Sequence, residues 1–316
     1  MRHMREYQRV QLKRNDKGLR YITGGPFADA LWDTAVVPDR LWHYTNGAGL
    51  IGIANNQCLW CTEYRFLNDQ DEVAAFSEHL LRRLQDLFST LWTNDEVDSI
   101  MGAFQLIATW NVFVGSFCME GDRNDLWSQY ATEAGYALGF DPNVLRSLAR
   151  RQGFALAPVL YGDKNAVAFA ESIVKDHEDV WRSFRSPLSQ TNINKIHKYS
   201  CRLLLHFAPF FKPQSFEREN EWRLVKVAGI DEAKSRFRPS KTFGVVEFVE
   251  FDFRIDEKGR PRRVGGVHPH LIPNVIVGPG NQTDGWAIQR IPYEVLRTNG
   301  FETLVSATNS SLRFAK

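Results

Sequence analysis

Three glutamates at alternate positions, Glu217, Glu219 and Glu221, lie in the stretch Phe216-Glu-Arg-Glu-Asn-Glu-Trp-Arg-Leu-Val225. On a strand, alternate side chains share a face, so three carboxylates would repel unless Arg218, Arg223 or a ligand relieves them. A charged surface edge accounts for such a pattern. So does a carboxylate pair that binds ribose hydroxyls and stabilises a developing oxocarbenium ion, a large electrostatic contribution to glycosidic cleavage. A second candidate is Trp42-His-Tyr-Thr45. There His43 and Thr45 share one strand face and Trp42 and Tyr44 the other. A strand histidine is commonly structural. Beside Gly47 and Gly49, however, it can hydrogen-bond a ribose where backbone approaches a ligand.

Two further stretches carry polar groups. In Arg65-Phe-Leu-Asn-Asp-Gln-Asp-Glu72, acids gather at a helix start, where they suit the positive end of the helix dipole. Asp69 and Glu72 have the offset of a capping box, and metal binding is the competing account. In Asp125-Leu-Trp-Ser-Gln-Tyr-Ala131, Trp127 and Tyr130 fall one helical turn apart, as core residues or as a stacking wall for an aromatic ring. Cys58-Leu-Trp-Cys61 has CxxC spacing without a second pair or a nearby His cluster, so it reads as two small apolar residues on a buried strand. Walker A, GxSxG, HExxH and GxGxxG signatures are absent.

The elements that must position these groups follow from periodicity and punctuation. Leu41 to Thr45 reads as a strand, Leu50 to Ala54 as a short helix and Cys58 to Thr62 as a second strand. A long amphipathic helix spans Val73 to Leu91, and helix continues from Asp95 to about Leu106. Ala108 to Met119 is a strand, Asp122 to Asp125 caps a helix through Ala131, and Gly135 to Phe140 is a strand. A helix with Pro142 in its first turn comes next. Phe154 to Tyr161 reads as one strand, and residues 163–211 as a helical insertion broken near Ser186-Pro187. Strands at Glu221 to Val227, Thr242 to Phe253 and Asn274 to Val277, a helix from Asp284 to Asn299 and a last strand at Glu302 to Ser306 finish the chain. Glu257 to Arg263 reads as a solvated basic turn.

The interspersed order lacks the βαβ rhythm of a doubly wound fold. The fold class is α+β: a mixed, largely antiparallel sheet core with inserted helices. Residues 1–38 read as an N-terminal arm, and 39–316 as a single domain with a helical insertion around 163–211. Thirty-nine Lys and Arg against 37 Asp and Glu leave a net charge of +2, which excludes a polyanion coat built on charge alone. No apolar run is long enough to span a membrane, the first 25 residues lack the apolar core of a secretory signal, and four cysteines fit a reducing cytoplasm. Nine Trp in the chain is a large aromatic load, and Trp42, Trp127 and Trp222 each fall inside a candidate stretch.

In this order the stretches resemble the bacterial family known as domain of unknown function 2971. The residues that carry the likeness are Leu41-Trp-His-Tyr-Thr45, Phe66-Leu-Asn-Asp-Gln-Asp-Glu72, Ser116-Phe-Cys118, Leu126-Trp-Ser-Gln-Tyr-Ala131 and Gly135-Tyr-Ala-Leu-Gly-Phe140. Phe211-Lys212, Glu219-Asn-Glu-Trp-Arg223, Ile276-Val-Gly-Pro279 and Ser310-Ser-Leu-Arg313 complete it.

More distantly, a strand with His-aromatic-Thr, a short helix and a second strand is similar to the opening of ADP-ribosyltransferase folds, including bacterial DNA-modifying toxins. The chain departs from them in lacking a Ser-Thr-Ser signature and a Gly directly after the His. That likeness implies an ADP-ribosyltransferase-like sheet and NAD as substrate. His43, Tyr44 and Thr45 would shape the NAD pocket, with His43 on the adenosine ribose. Tyr130, with Trp127 nearby, would face the nicotinamide. Glu221, or Glu219, would bind the nicotinamide ribose and stabilise the transition state. ADP-ribose would pass to a protein, a nucleic acid or water, in a toxin or phage-defence setting with an antitoxin or defence-system partner. Two other classes remain open: a non-catalytic nucleotide- or partner-binding module, and a metal-dependent nuclease built on Asp69, Asp71, Glu72 and Glu219.

Overall fold

The computed structural model describes residues 32–33, 35–67, 71–104, 110–130, 135–229, 234–254, 267, 270–279, 285–301 and 306–312. Asn68 and Asp69, the basic turn 257–263 and most of the N-terminal arm lie outside them.

Strand β1 (Leu41–Asn46) runs into helix α1 (Gly47–Asn56), whose start is capped by the Asn46 side chain accepting from Gly49 N. β2 (Cys58–Glu63), the amphipathic α2 (Asp71–Leu91), α3 (Asn94–Ala103), β3 (Trp110–Cys118), the short α4 (Asn124–Tyr130) and β4 (Gly135–Phe140) follow. Asp141 caps α5 (Pro142–Arg151), and Pro142 sits where its missing N–H costs nothing. β5 (Ala155–Pro158) and β6 (Leu160–Tyr161) precede α6 (Asp163–Arg182) and α7 (Gln190–Phe207). Then come β7 (Phe211–Lys212), β8 (Glu221–Gly229), β9 (Arg236–Ser240), β10 (Gly244–Asp252), β11 (Asn274–Val277), α8 (Gly285–Thr298) and β12 (Ser306–Asn309). The fold is α+β with a mixed, mostly antiparallel sheet.

Three expectations are corrected. Phe154 to Tyr161 is two strands: Ala155–Pro158 pairs with β8, while Leu160–Tyr161 leaves the sheet and pairs in parallel with β7. The helical insertion accordingly ends before β7. The strand expected from Thr242 starts at Gly244 and is preceded by the unanticipated β9, whose Arg-Phe-Arg-Pro-Ser stretch includes a proline and buries no apolar face. Of the last strand expected at Glu302 to Ser306, residues 302–305 lie outside the described residues; the last described strand is Ser306–Asn309, paired in parallel with β11.

The main sheet runs β12-β11-β4-β1-β3-β2-β10-β9, with β8 on β3 and β5 on β8. Phe113, Phe117, Trp222 and Leu224 project to one side, into a core shared with α1, α5 and α8. Val112, Val114 and Val225 project to the other, beneath α2, α3, α6 and α7. Each fully buried Phe or Leu contributes roughly 1.5–3 kcal/mol by removal from water, enough for the sheet to tolerate a local break in its ladder. Trp32, within the stretch read as an arm, is buried against Trp222, with ring centroids 5.2 Å apart.

That break lies on β3. Its full length pairs with β8, from Trp110↔Gly229 to Cys118↔Glu221. On its other edge, β2 pairs at Phe113 and Val114, and β1 only at Cys118, opposite Trp42. Residues 115–117 lie in the interval between, where the two neighbouring strands diverge. Among the described residues, no helix is long and apolar enough to cross a membrane.

Candidate functional site

A cleft opens beside this interval. β1 contributes Trp42, His43 and Tyr44 to its walls, β3 contributes Ser116, Phe117 and Cys118, and α4 contributes Leu126 and Tyr130. Glu219 and Glu221 close it from the start of β8. About 470 Å³ of empty space, open to solvent, lies among them. His43, Tyr44, Tyr130, Glu219 and Glu221, all candidates from sequence, therefore share one cleft.

The histidine occupies the gap in the ladder. Its Nδ1 lies 3.0 Å from the Ser116 carbonyl oxygen. A carbonyl only accepts, so Nδ1 carries the proton and Nε2 is left as a hydrogen-bond acceptor. Burial lowers the pKa of His43, against the opposing effect of the Ser116 bond, so the ring is neutral near pH 7. Beside it, the Trp42 indole fits because Gly121 and Gly139 lack side chains: a Cβ would come within 2.5 Å and 2.9 Å of the ring.

Tyr44 presents its ring to the cleft while its hydroxyl is held by backbone. It donates to Glu120 O and accepts from Arg123 N, each at 3.0 Å. Cys118 is no nucleophile: burial pushes its thiol up to about 12, and Sγ donates to Glu120 O. Tyr130, half exposed, ends α4 at the cleft mouth. Trp127 and Thr45 stand elsewhere. Trp127 is fully buried behind Tyr44, with centroids 4.7 Å apart, and its indole nitrogen donates to Asp122 Oδ1 at 2.8 Å. Thr45 packs against Gly49 at the start of α1, where a Cβ on the glycine would collide with Thr45 Oγ1.

The alternation expected of the three glutamates does not hold. Residues Gln214–Glu219 form 3-10 turns, Asn220 takes a left-handed conformation with φ 45°, and the strand begins only at Glu221. Glu217 turns away to accept from Gln214 Nε2 at 2.5 Å.

Glu221 is 7 % exposed and sits among cations. Arg223 Nε donates to its Oε1 at 2.9 Å, and the same guanidinium is steadied by a 2.7 Å bond to Pro209 O. Buried Lys212 lies 2.6 Å from Glu219 Oε2 and 3.0 Å from Glu221 Oε2. The second contact is ionic only, since Oε2 has no hydrogen-bond partner of adequate geometry. Burial alone would raise the pKa of Glu221, but Arg223 and Lys212 outweigh it and, helped by the Ser116 side chain, hold it at about 2. The site thus keeps one carboxylate ionised at any working pH, with an acceptor oxygen lacking a donor.

Lys212 and Ser116 are the residues that sequence reasoning did not assign a role. The available signal for Lys212 was a lone cation closing the apolar run Phe207–Phe211 and followed by Pro213. Asp69 lies outside the described residues, as do the side chains of Asp71 and Glu72, and no group of three potential ligands for a metal ion occurs among the described residues.

A family model described as a protein of unknown function (DUF2971) matches residues 126–224, less than half of the chain. The match bears out the resemblance to that family over a span running from the α4 wall of the cleft to Arg223 and Leu224. No curated protein and no solved structure matches.

Proposed function

We propose that this cleft cleaves the nicotinamide glycosidic bond of NAD and transfers ADP-ribose to a macromolecule or water, in the manner of an ADP-ribosyltransferase acting as a toxin or phage-defence effector. The observation that carries this reading is Glu221: buried, anionic, with Oε2 short of a donor, in one cleft with the acceptor histidine His43 and the rim aromatic Tyr130.

A ribose bound in the cleft would lie against the Glu221 carboxylate, which forms part of its wall. As the bond between the ribose C1′ and the nicotinamide nitrogen breaks, its electron pair goes to nicotinamide, which leaves neutral. Positive charge then develops on the ribose. A fixed carboxylate beside that charge is preorganised electrostatic stabilisation, worth about 10²–10³ in rate for one such group. The nucleophile attacks C1′ and gives its proton to Glu219 or solvent. Neutral His43 accepts from a second ribose hydroxyl through Nε2, and Tyr130 offers a ring at the mouth.

One observation favours a second reading. Lys212 and Arg223 balance Glu219 and Glu221, which a non-catalytic nucleotide-binding module would equally tolerate. A single experiment separates them: incubation with NAD, with nicotinamide followed by chromatography and melting by calorimetry. The expected result is nicotinamide release by the wild type and its loss in Glu221→Gln, with an unchanged circular dichroism spectrum. Release that persists in this variant overturns the role of Glu221. A saturable rise in melting temperature without release makes the protein a binder.

A further inference from the structure

The Ser310-Ser-Leu312 segment belongs to the sequence pattern, yet it has no place in the chemistry above. In space it meets the turn just before α4 at one residue, Asp122. Ser310 Oγ donates to Asp122 Oδ1 at 2.5 Å, while Ser311 N and Ser311 Oγ each donate to Oδ2 at 2.7 Å. The Trp127 indole supplies the fourth bond, to Oδ1. Burial would raise the pKa of Asp122, but these donors together lower it, so the carboxylate is charged and saturated with acceptor bonds. The segment is itself anchored: Ser310 N donates to Val277 O at 2.8 Å, and Leu312 packs with Trp42 and Ile276 against the cluster of Tyr44 and Trp127.

Helix α4 needs such a tie. At seven residues it is too short to hold itself by its own hydrogen bonds, so its place depends on what packs against it. The next residue, Arg123, extends the junction. Its N–H bonds Tyr44 Oη, and its Nη1 donates to Arg218 O in the turn that carries Glu219. One dipeptide thus joins the C-terminal segment, the β1 wall, the α4 wall and the glutamate turn.

We propose that Asp122 is a positioning residue of the cleft: by clamping Ser310 and Ser311 to the base of α4, it sets the wall that carries Leu126 and Tyr130. The clamp stands on its own contacts; its consequence for catalysis rests on the function proposed above.

The test uses the full chain with Asp122→Asn and the double variant Ser310→Ala/Ser311→Ala. Hydrogen exchange in the ligand-free protein should quicken about tenfold or more in a peptide spanning 122–130, the scale expected when charged hydrogen bonds are lost, while peptides from α6 and α7 stay unchanged. With NAD, KM should rise about tenfold and kcat move less than about threefold, the split expected when ground-state positioning alone is lost. Unchanged exchange at 122–130, exchange rising equally in α6 and α7, or an unchanged KM with a loosened α4 would each overturn the proposal. If Asp122→Asn does not fold, the double serine variant decides alone. If the wild type releases no nicotinamide, the functional reading fails, and a change in exchange confined to 122–130 still decides the clamp.

Discussion

Two buried glutamates, Glu221 at the start of β8 and Glu63 at the end of β2, share a local design. Each lies two residues before an arginine whose Nε meets its Oε1 at 2.9 Å. What completes the pair differs. The second oxygen of Glu63 accepts from Arg65 N at 3.0 Å, and Arg65 passes through Asn111 to Glu247, with bonds of 2.9 and 3.0 Å. Each carboxylate oxygen there accepts a bond from within the protein, and Glu63 is fully buried away from the cleft. Glu221 instead faces a second cation, Lys212, and keeps Oε2 without a hydrogen bond. The electrostatics diverge accordingly. Burial dominates at Glu63 and raises its pKa despite Arg65, whereas two cations at Glu221 reverse the same burial effect. One network is closed and structural; the other borders an open cleft and holds Oε2 by charge alone, and that difference separates a site from a strut.

The largest effect that can break this contrast is on turnover. Glu221→Gln is expected to lower the initial rate of nicotinamide release by about 10²–10³, the loss typical of one preorganised electrostatic group. Glu63→Gln, which touches no cleft residue, should change the rate by less than about threefold, as distant independent sites do. Equal losses in the two variants would show that both carboxylates serve only to hold the sheet.

The contrast also shows how far a sequence can be read. Glu-x-Arg occurs at both places, and nothing within either tripeptide tells them apart. Lys212 and Asn111 do so, and each is brought in by the tertiary fold. Elements with a local signal were legible: β4 from its apolar run and β11 from its β-branched core at both ends, and α5 at its start from Asp141 and Pro142. Elements without one were not. β9 is an edge strand whose partner β10, not its own pattern, makes it a strand. At the β5–β6 break Val159 N still bonds Glu221 O, and the chain leaves the sheet only after it. At the site, strand alternation placed His43 and Tyr44 on opposite faces, and both still reach the cleft because it lies at the gap between β1 and β2. The same alternation misplaced Glu217, because the left-handed Asn220 delays the strand.

A tenfold effect should separate the residues that complete each network. Lys212→Met leaves Glu219 and Glu221 close together with one cation fewer, and like charges at that range resist joint ionisation. NAD affinity is expected to fall by about tenfold, or 1.4 kcal/mol, with the acid limb of the rate profile moving to higher pH. Lys212→Arg should restore much of both, since it keeps the charge. In the closed network, Asn111→Leu should lower the melting temperature by roughly 4–8 °C per kcal/mol lost for a small domain, and less in a chain of this size, while leaving NAD affinity unchanged. A loss of affinity in Asn111→Leu as large as in Lys212→Met would erase the distinction between the networks.

The smallest and sharpest test is the sign of the pH dependence. Glu221 has a folded pKa below its ordinary value, near 2, so its contribution to stability is present above about pH 4.5 and is lost as pH falls toward 2. Glu63 has a folded pKa above its ordinary value, so the folded protein is favoured at this residue below about pH 4.5 and loses that contribution as pH rises through the raised value. Glutamine cannot titrate, so each substitution removes one of these trends. The melting-temperature deficit of Glu221→Gln should therefore be greatest at neutral pH and shrink on acidification. Glu63→Gln should show the reverse, its deficit easing as pH rises from 4 to 8. Calorimetric melting of both variants against wild type across that range, extended toward pH 2.5 for Glu221→Gln, reads the two slopes directly. Slopes of the same sign would mean that Arg223 and Lys212 together do not outweigh burial at Glu221. The carboxylate would then be protonated when buried, and a group that is neutral in the resting site could not stabilise charge developing on a ribose.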